Sequence, residues 1–306
     1  MTGDAKHDVG FWVRQLGRHE PPVLARTMLE LSRLSVDEEK ATPQRISDIV
    51  LHDPLMTLKV LQYIQLNRHA SQRTEITTIS HALMMLGLGP FFRHFRTQAT
   101  LESRLSAYPP ALAGALTVAS RARHAALYAR DWAAERHDME VEEVMIAALL
   151  HDVAELLLWC AAPTHAMRIK DALQADHTLR SAQVQREVLG VPLVDVQLQA
   201  AREWRLPEVL HRMMDDHHVI KPREANVIHA VAVARHSARG WNDAALGDDY
   251  EAVGKLLGLS PDTVRKRVIQ VALKAAREWA WYGVPPAAAA LPLITVDCLA
   301  PVAAAE

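Results

Sequence analysis

The stretch ALLHDVAELLLW, Ala148 to Trp159, sets a histidine and an aspartate side by side in an otherwise apolar run. Val144, Leu149, Leu150, Val153, Leu156 and Leu157 surround the polar residues on nearly every side of a helical wheel, so the spacing predicts one central, buried helix over 141–160. His151, Asp152 and Glu155 must then face partly inward, where a charge is costly unless it is paired, hydrogen-bonded or bound to metal. The dipeptide alone decides little, because His-Asp also occurs at His7-Asp8, His52-Asp53 and His137-Asp138.

Outward from this run the period stays helical. Ala, Leu, Arg and Glu dominate, glycine is limited to 12 residues, and β-branched residues rarely alternate with polar ones, which predicts an all-α fold: a multi-helix bundle in two helical halves. A chain of 306 residues, 50% hydrophobic and 23% charged, is long enough to bury a sizeable core. Lys and Arg number 34 against 36 Asp and Glu, so a formal charge of −2 gives no bulk electrostatic reason to expect nucleic acid or an anionic membrane as the main partner. Cys160 and Cys298 have neither C-x-x-C nor zinc-type spacing, which fits a reducing compartment. The opening MTGDAKHDVGFWVRQ lacks a basic region followed by an apolar stretch, and no run of 18 or more uncharged apolar residues occurs. Neither signal peptide nor membrane span is expected, and the protein is read as cytoplasmic.

Punctuation divides the chain. Residues 1–20 are a lead-in. In ATPQRISDIVLHDPLMTLKVLQYIQLN (41–67), Ser47 is a candidate cap of a short helix and Pro54 suits the first turn of the next, whose apolar stripe is Leu55, Leu58, Val60, Leu61 and Ile64. TTISHALMMLGLGPFFRHFRTQATLE (77–102) predicts two helices broken at Gly87-Leu88-Gly89-Pro90. Pro109-Pro110 marks a seam between a half spanning 21–108 and a half spanning 109–239; a helical extension, 240–283, follows. The Ala- and Pro-rich tail, 284–306, is expected to be a loosely ordered arm or an extension packed on the surface.

His124 in RARHAALYARDWA, the His-Asp pair in AALLHDVAELLL and the histidines of HRMMDDHH occur in an order that resembles the HD superfamily of metal-dependent phosphohydrolases. The closer resemblance is to its HDOD branch, the HD-related output domain of bacterial signalling proteins, over residues 21–239. It is carried by EPPVLARTMLELSRL, ISDIVLHDPLMTLKVLQYIQLN, TTISHALMMLGLGPFFR, LLHDVAELLL and VLGVPLVDVQLQAAREWRLPEVLHRMMDDHH, in that order. The resemblance implies a metal held by His124, His151, Asp152 and a later aspartate, activating water for attack on a phosphate ester. Two positions depart from it. Ala232, in NVIHAVAVARHSARG, stands where the later aspartate is expected, and Glu155 stands where active members commonly carry lysine. A degenerate remnant site of His124, His151, Asp152 and Glu155 is therefore expected, with Glu155 hydrogen-bonding a histidine and no cofactor bound. The implied function is regulation without catalysis, through a protein partner in a signalling pathway or a small signalling nucleotide, with no role for membrane. The first alternative is a divalent-metal phosphohydrolase of a nucleotide or cyclic dinucleotide, with His217 or His218 replacing the absent aspartate. Nothing in the sequence sets the oligomeric state.

Asp215, Asp216, His217 and His218 form a polar knot that is a candidate to complete an unorthodox site with His151; it also reads as a helix C-terminus, where histidines suit the negative end of the dipole. FFRHFR (91–96) interleaves aromatics with positive charge, yet one helix with its Phe residues inward and Arg93 and Arg96 outward explains it as well. LLGLSPDTVRKRV has the form of a helix-turn-helix with Ser260 as cap and Arg265, Lys266 and Arg267 on its second helix. A DNA-binding regulator using residues 253–271 is thus a further alternative, beside an ordinary helical hairpin.

Overall fold

The computed structural model of the protein describes residues 6–36, 41–67, 75–176 and 178–292. These residues are built from α-helices, and their one extended pairing is an isolated bridge between Val23 and Thr100. The expected all-α fold is the fold observed.

The centre is the helix Pro109–Glu135, which starts at the proline seam, earlier than its apolar pattern alone indicates. It buries alanines along most of its length together with Tyr128 and Trp132, and small side chains let Val141–Leu150, Val153–Ala161, Pro222–Arg239 and Pro261–Ala276 all pack against it. The N-terminal half is a layer of shorter helices. Thr42, not Ser47, caps Pro43–Val50; Ser47 is buried inside that helix. Pro54 does open Pro54–Leu66, and the buried Asp53 carboxylate before it accepts from Leu55 N at 2.9 Å, Met56 N at 3.0 Å and, from a distant segment, Leu24 N at 2.7 Å. Ile79–Leu86 and Leu88–Phe95 are separated at Gly87 alone, whose φ of 76° only glycine adopts without strain; Pro90 lies inside the first turn that follows.

The predicted single helix over 141–160 is two helices, Val141–Leu150 and Val153–Ala161, with His151 and Asp152 at the joint. The cause is a side chain inserted into the helical ladder. Gln197 accepts from Ala154 N at 2.7 Å and donates to Leu150 O at 3.0 Å, taking both ends of the hydrogen bond a continuous helix would make there. Residues 141–161 are apolar enough to cross a membrane, with mean hydropathy 1.8, but 83% of that stretch is buried within the fold.

The extension forms the hairpin Ala245–Leu257 and Pro261–Ala276, turned by Gly258 in the left-handed region and capped by Ser260. Val264, Val268 and Val271 bury its second helix against the core. Beyond it, Trp281 stacks on His52 at 4.2 Å and the Tyr282 hydroxyl donates to His52 O at 2.7 Å, so the segment after the hairpin straps the loop before Asp53. The start of the tail packs on the body, where the Trp241 indole donates to Ala287 O at 2.8 Å; residues 293–306 of the expected arm lie outside the described residues.

Candidate functional site

At the break, Asp152 faces the middle of Pro109–Glu135 and the last turns of Pro222–Arg239, and His151 faces Asp216 in the turn before Pro222–Arg239. His151 and Asp152 are 4% and 7% exposed, so each polar atom needs a partner. Asp152 finds two guanidiniums: Arg121 Nη2 donates to Oδ2 at 2.9 Å, while Arg235 donates through Nη2 to Oδ1 and through Nε to Oδ2 at 3.3 Å. Arg121 Nη2 also reaches Glu155 Oε2 at 2.6 Å. The ring of His151 is held at both nitrogens by carboxylates, Nδ1 by Asp152 Oδ1 at 3.0 Å and Nε2 by Asp216 Oδ1 at 2.8 Å.

The electrostatics follow from this packing. Burial works against a charged His151, but hydrogen bonds to Asp152 and Asp216 and their charges override it and raise its pKa to about 9. At neutral pH the ring is an imidazolium donating from both nitrogens. Burial also opposes the Asp152 carboxylate, and Arg235, Arg121 and His151 outweigh it, holding the group well below the usual carboxylate range. Three cations and three carboxylates therefore close on one another.

Several expected members stand elsewhere. His124 does not reach the pair: its Nδ1 meets Ser120 O at 2.9 Å, its Nε2 is buried without a partner, and burial pushes its pKa down. The residue of that helix facing the pair is Arg121, nearly one turn earlier. Glu155 bonds Arg121 and not a histidine. His217 turns outward to Asp195 at 3.1 Å and His218 to Asp215 at 3.0 Å, and it is their neighbour Asp216 that joins His151. Ala232 offers no acid, and Arg235 on the following turn supplies the opposite charge. Asp216 belongs to the knot that the sequence marked, whereas Arg121, Arg235 and Gln197 were not singled out; no spacing rule links residues so far apart.

This donor set does not fit a divalent cation. The Asp152 oxygens are occupied by the Arg121 and Arg235 guanidiniums, and both ring nitrogens of His151 are already taken by carboxylates. Among the described residues no group of three or more His, Cys, Asp and Glu is placed to hold an ion.

The other candidates resolve similarly. Phe91 and Phe95 are buried and Arg93 and Arg96 exposed. In the hairpin, Arg267 turns back to the core helix, pairing with Asp131 and with Glu135 at 2.7 Å, which leaves Arg265 and Lys266 on the exposed face.

The HDOD domain profile matches residues 22–220. Among solved structures, the response regulator MmoQ of Methylococcus capsulatus is similar with TM-score 0.62 and 18% identity over 82% of this chain and 98% of its own. A virulence factor from Campylobacter jejuni is similar with TM-score 0.62 and 17% identity over 88% of this chain and 100% of its own. At these identities the likeness is one of fold. No curated protein matches the chain.

Proposed function

The chain belongs to the HDOD domain family, and from that premise we propose that it is a non-catalytic regulatory protein of signal transduction that acts by binding a protein partner or a small ligand. The observation that carries this reading is the Asp152 carboxylate gripped by Arg235 and Arg121. A hydrolase of this superfamily needs that carboxylate free for metal, and the metal in turn lowers the pKa of its water. Here the same carboxylate is neutralised internally and His151 is protonated, so the groups that would prepare a nucleophile serve to fix the joint between two core helices. On this reading the protein needs no cofactor, works in the cytoplasm and uses neither membrane nor duplex DNA.

The test is the metal content of untagged protein purified without chelator, beside His151→Ala, with phosphodiester turnover assayed in added manganese. Metal well below one per chain and no turnover are expected. About one metal per chain, lost in His151→Ala together with turnover, would overturn the reading.

A further inference from the structure

A cavity of about 300 Å³ opens beside the helix break, its inner end formed by Arg121, His151, Asp152 and Arg235. Away from those charges the walls are apolar, built by Val118, Leu158, Trp159, Ile169, Leu173 and Leu193. Gly114 makes the room: a side chain there would come within 2.5 Å of the Trp159 ring. Trp159 is 4% exposed, and its ring forms part of the cavity wall beside Gly114.

Charge around the cavity is unequal. Asp152, Glu155 and Asp216 face Arg121 and Arg235 together with His151, and that cluster is internally balanced. Lys170 and Arg239 are additional. Lys170 is half-buried on the helix Pro163–Ala175, and Arg239, at the end of Pro222–Arg239, has a hydroxyl partner in Ser181 at 3.2 Å. Neither cation faces a carboxylate of its own among the cavity residues, so the lining carries surplus positive charge above a neutral floor.

We propose that this cavity binds a small organic anion with a flat apolar body, its carboxylate or phosphate held by Lys170 and Arg239 and its body lying along Trp159 and the aliphatic wall. A volume of about 300 Å³ sits at the lower end of small-molecule sites, which admits a mononucleotide or an aromatic acid and leaves too little room for a dinucleotide. The assignment deepens the binding reading above by naming the ligand class of the same site.

Calorimetric titration of the full chain with AMP and with indole-3-carboxylate, each beside its uncharged counterpart, adenosine or indole, tests it. Saturable 1:1 binding of at least one anion is expected, about tenfold tighter than its neutral counterpart, as a charge-assisted contact requires. Binding of AMP alone assigns a phosphate ester, and of the indole acid alone a carboxylate. Lys170→Glu and Arg239→Glu, at the rim and outside the ionic cluster, are expected to weaken binding about tenfold each with unchanged thermal midpoints, and Ala182→Trp to abolish it by filling the cavity. Absence of binding by both anions, equal binding of the neutral compounds, or indifference to all three variants would overturn the assignment. Anion binding accompanied by metal-dependent turnover would retain the ligand class and sink the non-catalytic reading; no binding and no turnover would do the reverse.

Discussion

Arg235 meets Asp152 with two guanidinium nitrogens on two carboxylate oxygens, across 83 residues of sequence. The pairing has an energetic signature. Breaking a buried ion pair from one side leaves uncompensated charge, whereas removing the whole set is often tolerated. Asp152→Asn strands Arg121, Arg235 and the imidazolium of His151 with less negative charge than they need. Its expected cost is about 3–5 kcal/mol in urea unfolding. The triple change Arg121→Met, Asp152→Leu, Arg235→Met is expected to be milder than the single one. A loss under about 1 kcal/mol for Asp152→Asn would mean the cluster is solvated and weak.

The same cluster sets a pH dependence. His151 binds its proton more tightly folded than unfolded, its pKa rising from 6.5 to about 9 against the opposing effect of burial. Its stabilisation is then fully present below about 6.5 and disappears as pH rises through about 9. Urea midpoints measured from pH 6 to pH 10 should fall across that window, and Asp216→Asn, which removes one of the two carboxylates on the ring, should flatten the fall. A wild-type midpoint constant over the window would show that folding leaves the ring's pKa unchanged.

How much of this was legible in the sequence depends on the range of the interaction. The helical period, the order of the segments and the burial of His151 and Asp152 are local properties, read from apolar spacing. The break between Leu150 and Val153 is not local, because it comes from Gln197, an unremarkable glutamine on another helix. The expected grouping of His124 with the pair misses by less than one turn: Arg121 shares its helix and faces the pair, while the His124 ring bonds Ser120 O. Asp215 to His218 was legible as a knot within reach of His151, but which of its four members makes the contact was not: His217 and His218 turn outward and Asp216 joins the ring. A guanidinium pair on a buried aspartate leaves no motif. Its one sequence trace is the missing acid at Ala232, with an arginine three residues later.

Gly114 offers a steric test of the cavity wall. A Cβ there would lie 2.5 Å from the Trp159 ring, closer than any side chain tolerates, and the ring is 4% exposed with little space to retreat except into the cavity. Gly114→Ala gains about 1 kcal/mol of helix propensity but forces repacking of about 1–3 kcal/mol, so a net loss of stability is expected in spite of the better helix former. Thermal unfolding checks the sign. A more stable Gly114→Ala would mean that Trp159 swings aside freely and the wall is soft.

The strap after the hairpin, at Glu278 to Tyr282, carries the last prediction. Arg123, 5% exposed, directs Nε and Nη2 onto Glu278 at 2.7 and 3.0 Å and spends Nη1 on Leu51 O at 3.1 Å. Burial opposes the Glu278 carboxylate, but hydrogen bonds to His52 and Arg123 hold it far below the usual carboxylate range. A depressed pKa contributes stability above the unfolded value of 4.5 that is lost on acidification below it. Glu278→Ala leaves the Arg123 charge buried with one backbone acceptor and a histidine, at an expected cost of about 2–4 kcal/mol at neutral pH. Glu278→Gln keeps a hydrogen-bond acceptor and should cost about half as much, while removing part of the acid sensitivity between pH 3 and pH 5. Hydrogen exchange at residues 51–53 reads the same change locally, since Trp281 and Tyr282 close over that loop. If Glu278→Ala leaves both the unfolding midpoint and that exchange unchanged, the extension rests on the core through its valines alone, and the ionic strap contributes nothing to the fold.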